Sequence, residues 1–598
     1  MNRRSFVKSV TLMPLAAGQL AVAATEPAPA KSQSHLNVAE VGSLPASSRP
    51  LRSRYGLTLQ RVLAGESPAY SEEFLLADVR PTAARRFTEY SGDVSGRYIG
   101  ALATAARVYQ QDFPNLDSLV AKVVALQKPE GYFGRSFDVL HPGDLDMALL
   151  WGNGRLLVGL LEYYRYKPEP AVLAACVRLG DFLLRIAPLM LSKEIRDSFG
   201  AQHFASSYIC WTQQTEGLAN LYMVTNDSRY RQLAEQIAAV TERRPSDHVH
   251  GYLTSLRGWV DLLRVTRDQA LLSKCEAAWD EVVQSNDLLI TGGVPEGWTP
   301  NNHRTEGCAE VDWLRLNLAL AEATGKARYL DMAERTAFNE FSFNQFATGD
   351  FGHRVYSETG LPAAGAVRAW WCCTLHGLRC FPDLHDSVFR PGDHRLDYNL
   401  PLDARISSDS LSAVSTSTLT HDGKSRIVIT AAPSKAPVSL NIRQPAWART
   451  LTVLVNGNRQ SALSANGYAT ITRAWKSNDV VEIHYGMELR TQSEANNRQS
   501  YWFGPWLLGA SAAANPVYFN ELTLDNRLAG HPAAAQAANS PNHFAVPVAT
   551  HTVQYIPAEF SAWPGTVILQ PIAEQAGEPV TSWELRFLTA PSTRKDNS

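Results

Sequence analysis

Apolar residues recur every three or four positions through the first half of the chain and every second position through much of the rest. Leu156, Leu157, Leu160, Leu161, Tyr163 and Tyr164 form one apolar face, which Lys167-Pro168-Glu169-Pro170 ends. Leu218, Leu221 and Tyr222 run into Thr225-Asn226-Asp227-Ser228-Arg229-Tyr230, and Val260, Leu262 and Leu263 into Thr266-Arg267-Asp268. Leu318, Leu320 and Ala321 run into Thr324-Gly325-Lys326-Ala327-Arg328-Tyr329. Each unit reads as an apolar helix, a polar turn and a second helix. Hairpins recurring at irregular spacing fit a closed toroid of paired helices better than an open solenoid, with long loops left for function.

The period changes after about residue 385. Leu451-Thr452-Val453-Leu454-Val455 ends in Asn456-Gly457, a hairpin signal. Gly467 to Thr472 and Asp479 to Tyr485 alternate in the same way. The pattern predicts a multidomain α + β protein. An α/α barrel would cover residues 51–385 and a β-sandwich 386–491. A second, smaller sandwich or β-rich extension would cover 492–598.

A chain of 598 residues needs more than one core. With 45% apolar and 19% charged residues it is ordinary globular material. A net charge of −2 without a basic block excludes nucleic acid as the main partner. Met1-Asn2-Arg3-Arg4 followed by a short apolar run to Ala23 reads as a twin-arginine export signal over residues 1–24, ahead of an Ala/Pro/Ser-rich leader over 25–50. The run is too short to span a bilayer. The expected location is therefore periplasmic or secreted, with no membrane attachment after cleavage. The seven cysteines have no disulfide-framework spacing, and Cys176 and Cys275 sit in helical patterns as buried apolar residues.

Two stretches carry chemistry: Thr305-Glu306-Gly307-Cys308-Ala309-Glu310 and Trp370-Trp371-Cys372-Cys373-Thr374. Glu306, Cys308, Cys372 and Cys373 are four donors of the kind Zn2+ accepts. An extended backbone would point Glu306 and Cys308 the same way, whereas Cys372 and Cys373 would need an irregular turn to converge. Spacing alone leaves open a metal site, buried apolar cysteines or a vicinal disulfide.

The Glu-x-Cys element with a downstream Cys-Cys resembles glycoside hydrolase family 127, the β-L-arabinofuranosidase group. The similarity includes Leu289-Ile290-Thr291-Gly292-Gly293 with Glu296, Arg443-Gln444-Pro445-Ala446-Trp447, Val455-Asn456-Gly457, Gly467-Tyr468, Arg473-Ala474-Trp475 and Gly504-Pro505, over roughly residues 55 to 510. The resemblance implies an (α/α)6 barrel followed by one or two β-sandwich domains, and a retaining exo-glycosidase acting on an oligosaccharide or glycoside. It further implies zinc on Glu306, Cys308, Cys372 and Cys373, with Cys372 as nucleophile and Glu296 as general acid/base. His248 falls where relatives place a sugar-binding histidine.

Further substrate-binding candidates are Glu216, near a helix start, and Trp370 and Trp371, which would stack on a sugar or wall the metal site. Trp151, Asn153 and Arg155 stand where relatives often carry His and Glu, and Thr374 where they commonly have Pro. Competing readings are a metal-independent α/α-barrel lyase or unsaturated glycuronyl hydrolase, and a non-catalytic carbohydrate-binding protein with a structural zinc. The sequence leaves the oligomeric state open, a homodimer included.

Overall fold

The computed structural model describes residues 51–590, less 65–69, 81–86, 200–205, 300, 363–367, 435, 462, 521–522, 531–534, 539, 541, 554–564 and 575–580. The expected export signal and leader lie outside these residues. No described helix is long and apolar enough to cross a membrane.

Twelve main helices build the first part: α1 (Leu51–Leu63), α2 (Asp93–Tyr109), α3 (Leu116–Ala125), α4 (Asp144–Tyr166), α5 (Pro170–Met190), α6 (Gln214–Thr225), α7 (Ser228–Val240), α8 (Val249–Thr266), α9 (Gln269–Gln284), α10 (Gly307–Thr324), α11 (Ala327–Thr336) and α12 (Trp371–Val388). The even-numbered helices pack on one another in sequence, and α12 returns to α2, closing a ring. The odd-numbered helices form the outer layer. The fold is the predicted (α/α)6 barrel followed by β-sheet domains.

The polar breaks seen in the sequence end one helix and start the next. Asn226 closes α6 in the left-handed region at φ 58°, and the Asp227 carboxylate caps α7 by accepting from Arg229 N. Asp268 caps α9 in the same way. Inner helices are buried all round, as a ring interior requires: every residue of α8 from Val249 to Leu263 and of α10 from Gly307 to Leu318 is inside. At the α2–α4 contact two glycines touch. A Cβ on Gly159 would stand 2.1 Å from Gly96 O, so neither position admits a side chain.

From residue 389 the chain is β. A five-stranded and a six-stranded sheet between Phe389 and Tyr485 face each other as a sandwich. Asn456 and Gly457, at φ 50° and 78°, turn the predicted hairpin. Arg443, fully buried, docks the sandwich on α11: its Nε donates to Asn399 O at 2.6 Å and its Nη2 pairs with Glu334 Oε2 at 2.8 Å. Trp447 Nε1 donates to the same carboxylate at 2.8 Å.

The remaining C-terminal strands form one large sheet around Tyr501, Leu508, Val546, Leu569 and Phe587 rather than a second independent sandwich. That sheet takes in a strand from the helical part. The segment between α11 and α12 carries β2 (Gly352–Val355), β3 (Gly360–Leu361) and β4 (Arg368–Ala369), and β1 (Arg304–Glu306) precedes α10. Strands β1, β2 and β4 make a small sheet of their own, whereas β3 pairs with Trp583–Glu584.

Candidate active site

The two cysteine stretches meet at the starts of α10 and α12. Glu306 ends β1 and is the N-cap of α10, and Cys308 is the second residue of that helix. Trp370 is the N-cap of α12, and Cys372 and Cys373 are its second and third residues. This corrects both local expectations. Glu306 and Cys308 converge across a strand-to-helix junction, not along an extended run, and the adjacent cysteines converge within a regular first helical turn. Gly307 makes the approach possible, because a Cβ there would lie 3.1 Å from Cys373 Cβ. Two helix N-termini facing one cluster favour negative sulfur.

The ligand atoms of Glu306, Cys308, Cys372 and Cys373 lie within 4.8 Å of one another. Cys308 Sγ is 3.7 Å from Cys373 Sγ, and Cys373 Sγ is 3.9 Å from Glu306 Oε1. All the cysteines are free thiols, so the vicinal disulfide is not formed. Burial pushes the Cys308 and Cys373 thiols up, while hydrogen bonds from both hold Cys372 well below the ordinary thiol value. Burial also pushes the Glu306 carboxyl up, and its buried Oε2 accepts no hydrogen bond. An acidic group and three sulfurs crowded together, one oxygen without a donor, fit a divalent cation by chemistry and by position. Of the three cysteines Cys372 is the half-buried residue, whereas Cys308 and Cys373 are buried.

Glu296 is delivered by a loop folded back on β1. Its N–H donates to Arg304 O at 2.8 Å, and its carbonyl accepts from Val249 N at 3.1 Å. The second bond sets it beside His248, which caps α8. His248 is 6% exposed, so it is an interior residue, and its Nε2 stands 3.4 Å from Glu306 Oε2. Burial drives His248 well below the usual histidine value, which leaves it neutral. The Glu296 carboxylate pairs with Arg304 and lies 3.7 Å from His353 Nε2. Burial outweighs the Arg304 charge and raises Glu296 above the ordinary carboxylate range, as a general acid requires.

Trp370 does stand at this site. Its Nε1 donates to His353 Nδ1 at 2.8 Å. Trp371 packs edge-on against Phe74 and Phe87, a wall rather than a stacking platform. Glu216 is not placed with the others. It is 2% exposed and pairs with Arg257, with Arg155 3.8 Å away, so its charge is consumed by buried arginines. Thr374 ties α12 to β2: its Oγ1 accepts from Phe351 N at 3.0 Å and donates to Asp350 Oδ1 at 3.1 Å.

Beneath the cysteines lies a second cluster, His250, Asp312 and His376. Its donors are already engaged. Asp312 pairs with His250, with His376 Nε2 at 2.9 Å and with Arg257 at 2.6 Å, and it accepts from Thr254 at 2.9 Å. His250 Nε2 is 2.7 Å from Arg97 Nη2, and Arg97 Nη1 donates to Cys308 Sγ at 3.7 Å. Two guanidiniums so close leave no room for a further cation. The cluster instead aims Arg97 at the Cys308 sulfur.

The profile of the β-L-arabinofuranosidase GH127 catalytic domain matches residues 66–386, and that of the GH127 middle domain matches 399–487. The chain belongs to glycoside hydrolase family GH127. Solved GH127 structures share its fold. The β-L-arabinofuranosidase from Geobacillus stearothermophilus T6 is 17% identical, covers 90% of this chain and 98% of its own, and superposes with a TM-score of 0.68. A second GH127 β-arabinofuranosidase is 19% identical over 91% and 94%, with a TM-score of 0.65. No curated protein matches the sequence. As a GH127 member the chain is a glycoside hydrolase with a carbohydrate substrate.

Within this GH127 chain the three departures on α4 have different roles. Trp151 borders the site, its ring 5.6 Å from His248 and its Nε1 donating to Asp93 at 3.2 Å. Asn153 and Arg155 serve the scaffold: Asn153 accepts from Phe133 N at 2.9 Å, and Arg155 donates to Thr254 at 2.9 Å. Sequence reasoning missed Arg97, Arg304 and His353. Arg304 sits two residues before Glu306 and was open to the same same-face argument. Arg97 and His353 are brought in by contacts across long stretches of chain, with no local signal.

Proposed function

We propose that the protein is a retaining, exo-acting glycosidase of the β-L-arabinofuranoside type, with Cys372 as nucleophile and Glu296 as acid and base. The observation that carries this reading is the pairing of the least buried of the three cysteines, Cys372, with a carboxyl in its electrostatic reach that burial raises, Glu296. Zn2+ is the metal that suits one carboxylate and three cysteines, held by Glu306, Cys308, Cys372 and Cys373. When bound, it keeps the sulfurs ionised near neutral pH, where a free thiol is mostly protonated.

The residues then divide the work. Cys372 Sγ attacks the anomeric carbon as the carbon–oxygen bond to the leaving group breaks. The Glu296 carboxyl gives its proton to the departing oxygen, leaving the sugar as a thioglycoside on Cys372. Glu296, now a carboxylate, takes a proton from water. That water displaces the sulfur, and two inversions return the starting configuration. His248, neutral and pinned to the Glu296 backbone, offers a hydrogen bond to a sugar hydroxyl. Trp151 beside it closes the wall against water.

The test is hydrolysis of 4-nitrophenyl β-L-arabinofuranoside by the metal-loaded protein, with product configuration followed by NMR. Cys372→Ala should abolish turnover, and Glu296→Gln should slow it by about a hundredfold or more. Hydrolysis by Cys372→Ala at the wild-type rate, or inversion at the anomeric carbon, would rule the mechanism out. Export by the twin-arginine route is also proposed, resting on Arg3-Arg4 and the short apolar run behind them. Replacing both arginines by Lys should leave the protein in the cytoplasm.

A further inference from the structure

Across the sheet of β1, β2 and β4, Glu306 lies opposite His353, and His353 opposite Arg368. Directly opposed residues of antiparallel strands emerge on the same face, as do residues two apart on one strand. One face therefore carries, from the proposed metal outward, Glu306, His353 and Arg368, with Arg304 two residues before Glu306.

Arg304 and Arg368 differ in what they hold. Arg304 is paired to Glu296 and keeps 27% of its side-chain surface open. Arg368 is exposed, and its guanidinium lies over the Trp370 ring at 4.9 Å. Among the described residues no carboxylate pairs with Arg368. Trp370 cannot turn away to free it, because its N–H is bonded to His353. In a chain of net charge −2, this is a positive ledge beside the acid/base carboxyl, with one guanidinium stacked, oriented and unpaired.

The side of the site follows from Glu296. A general acid faces the leaving oxygen, so the arginine attached to it, and Arg368 beyond, border the leaving group and not the sugar held by Cys372. A guanidinium presents parallel N–H donors that match a carboxylate, and no neutral hydroxyl satisfies them equally. We propose that Arg368, assisted by Arg304, forms a subsite for a carboxylate on the leaving group, so that the substrate is a glycoside linked to a uronic acid. This rests on the acid/base assignment of Glu296 and adds the identity of the group on its far side.

The test compares full-length, zinc-loaded protein on β-L-arabinofuranosyl-galacturonic acid and on its methyl ester, which differ only in that charge. The acid should be favoured in kcat/KM by about tenfold or more, the usual scale of one charged hydrogen-bonded contact. The preference should shrink in high salt and fall to about one in Arg368→Gln, while Arg368→Lys recovers part of it. Equal kcat/KM for acid and ester, or a preference that survives Arg368→Gln, would overturn the proposal. A second arm is independent of turnover: galacturonic acid and galactose are titrated against wild type and Arg368→Gln by calorimetry. The acid should bind wild type more tightly than galactose and lose that advantage in the variant; equal binding of the two sugars refutes the subsite. If neither disaccharide is cleaved yet the acid binds through Arg368, the arabinofuranoside assignment fails and the subsite stands.

Discussion

Trp370 Nε1 donates to His353 Nδ1 at 2.8 Å, and this bond decides where the histidine keeps its proton. An indole N–H only donates, so Nδ1 must accept and the proton must sit on Nε2. Burial lowers His353 to about 4, so the ring is neutral at working pH. Its Nε2–H then faces Glu296 Oε1, 3.7 Å away. Trp370→Phe removes the bond and frees the other tautomer. It should lower kcat about tenfold while leaving the thermal midpoint within a few degrees. A variant with unchanged kcat would show that the tautomer is irrelevant.

Arg97 should matter to the metal more than to the fold of the barrel mouth. It is held by Asp93 at 2.9 Å and His250 at 2.7 Å, and it donates to Cys308 Sγ. Three thiolates and a carboxylate around one divalent ion leave an excess of negative charge that a buried guanidinium offsets. Arg97→Met should weaken zinc binding by about 10–100-fold, read by competition with a chromogenic chelator, and Arg97→Lys should restore part of it. Equal zinc affinity in wild type and Arg97→Met would remove Arg97 from this role.

Glu216 belongs to stability rather than to substrate. Removing a partner from a buried ion pair leaves the other charge unpaired, at a cost of about 3–5 kcal/mol. Glu216→Ala leaves Arg155 without its nearest carboxylate and Arg257 with Asp312 alone, and should lower the unfolding free energy toward that figure, with KM little altered. A raised KM in a protein of normal stability would return Glu216 to the substrate site.

Asp247 gives the stability a pH dependence. Burial raises it to about 7, against an ordinary 3.8, despite bonds from Arg244 N and Ser207. The folded state therefore holds a proton that the unfolded state gives up. Stability from this group is complete below about pH 4 and is lost as pH rises through 7, by at most roughly 4 kcal/mol. Asp247→Asn should flatten the stability curve over that window. An unaltered slope would place the origin elsewhere.

Much of this architecture was written locally. The helix pairs were legible because Thr225-Asn226-Asp227 and its counterparts encode one helix end and the next helix start in three residues. The clustering of Glu306, Cys308, Cys372 and Cys373 was legible because cysteines and a carboxylate in two short stretches have few other uses together. Their local geometry was not, since Glu306 changes from strand partner to helix cap within one residue and only the fold sets that boundary. His353 was hidden because its place depends on strand register against Glu306, across 47 residues of chain. Glu216 misled for a related reason. A carboxylate at a helix start looks solvent-facing unless one knows that Arg155 and Arg257 come from other inner helices.

The pairing of β3 with Trp583–Glu584 ties the C-terminal sheet to the rim of the candidate active site. The segment that supplies His353 and Arg368 is anchored at its outer bend by residues far along the chain, including Leu585, whose N–H donates to Thr359 O at 2.8 Å. A ring of helices that lost this pairing would keep its cysteines together yet lose the outer anchor of the segment that carries His353 and Arg368.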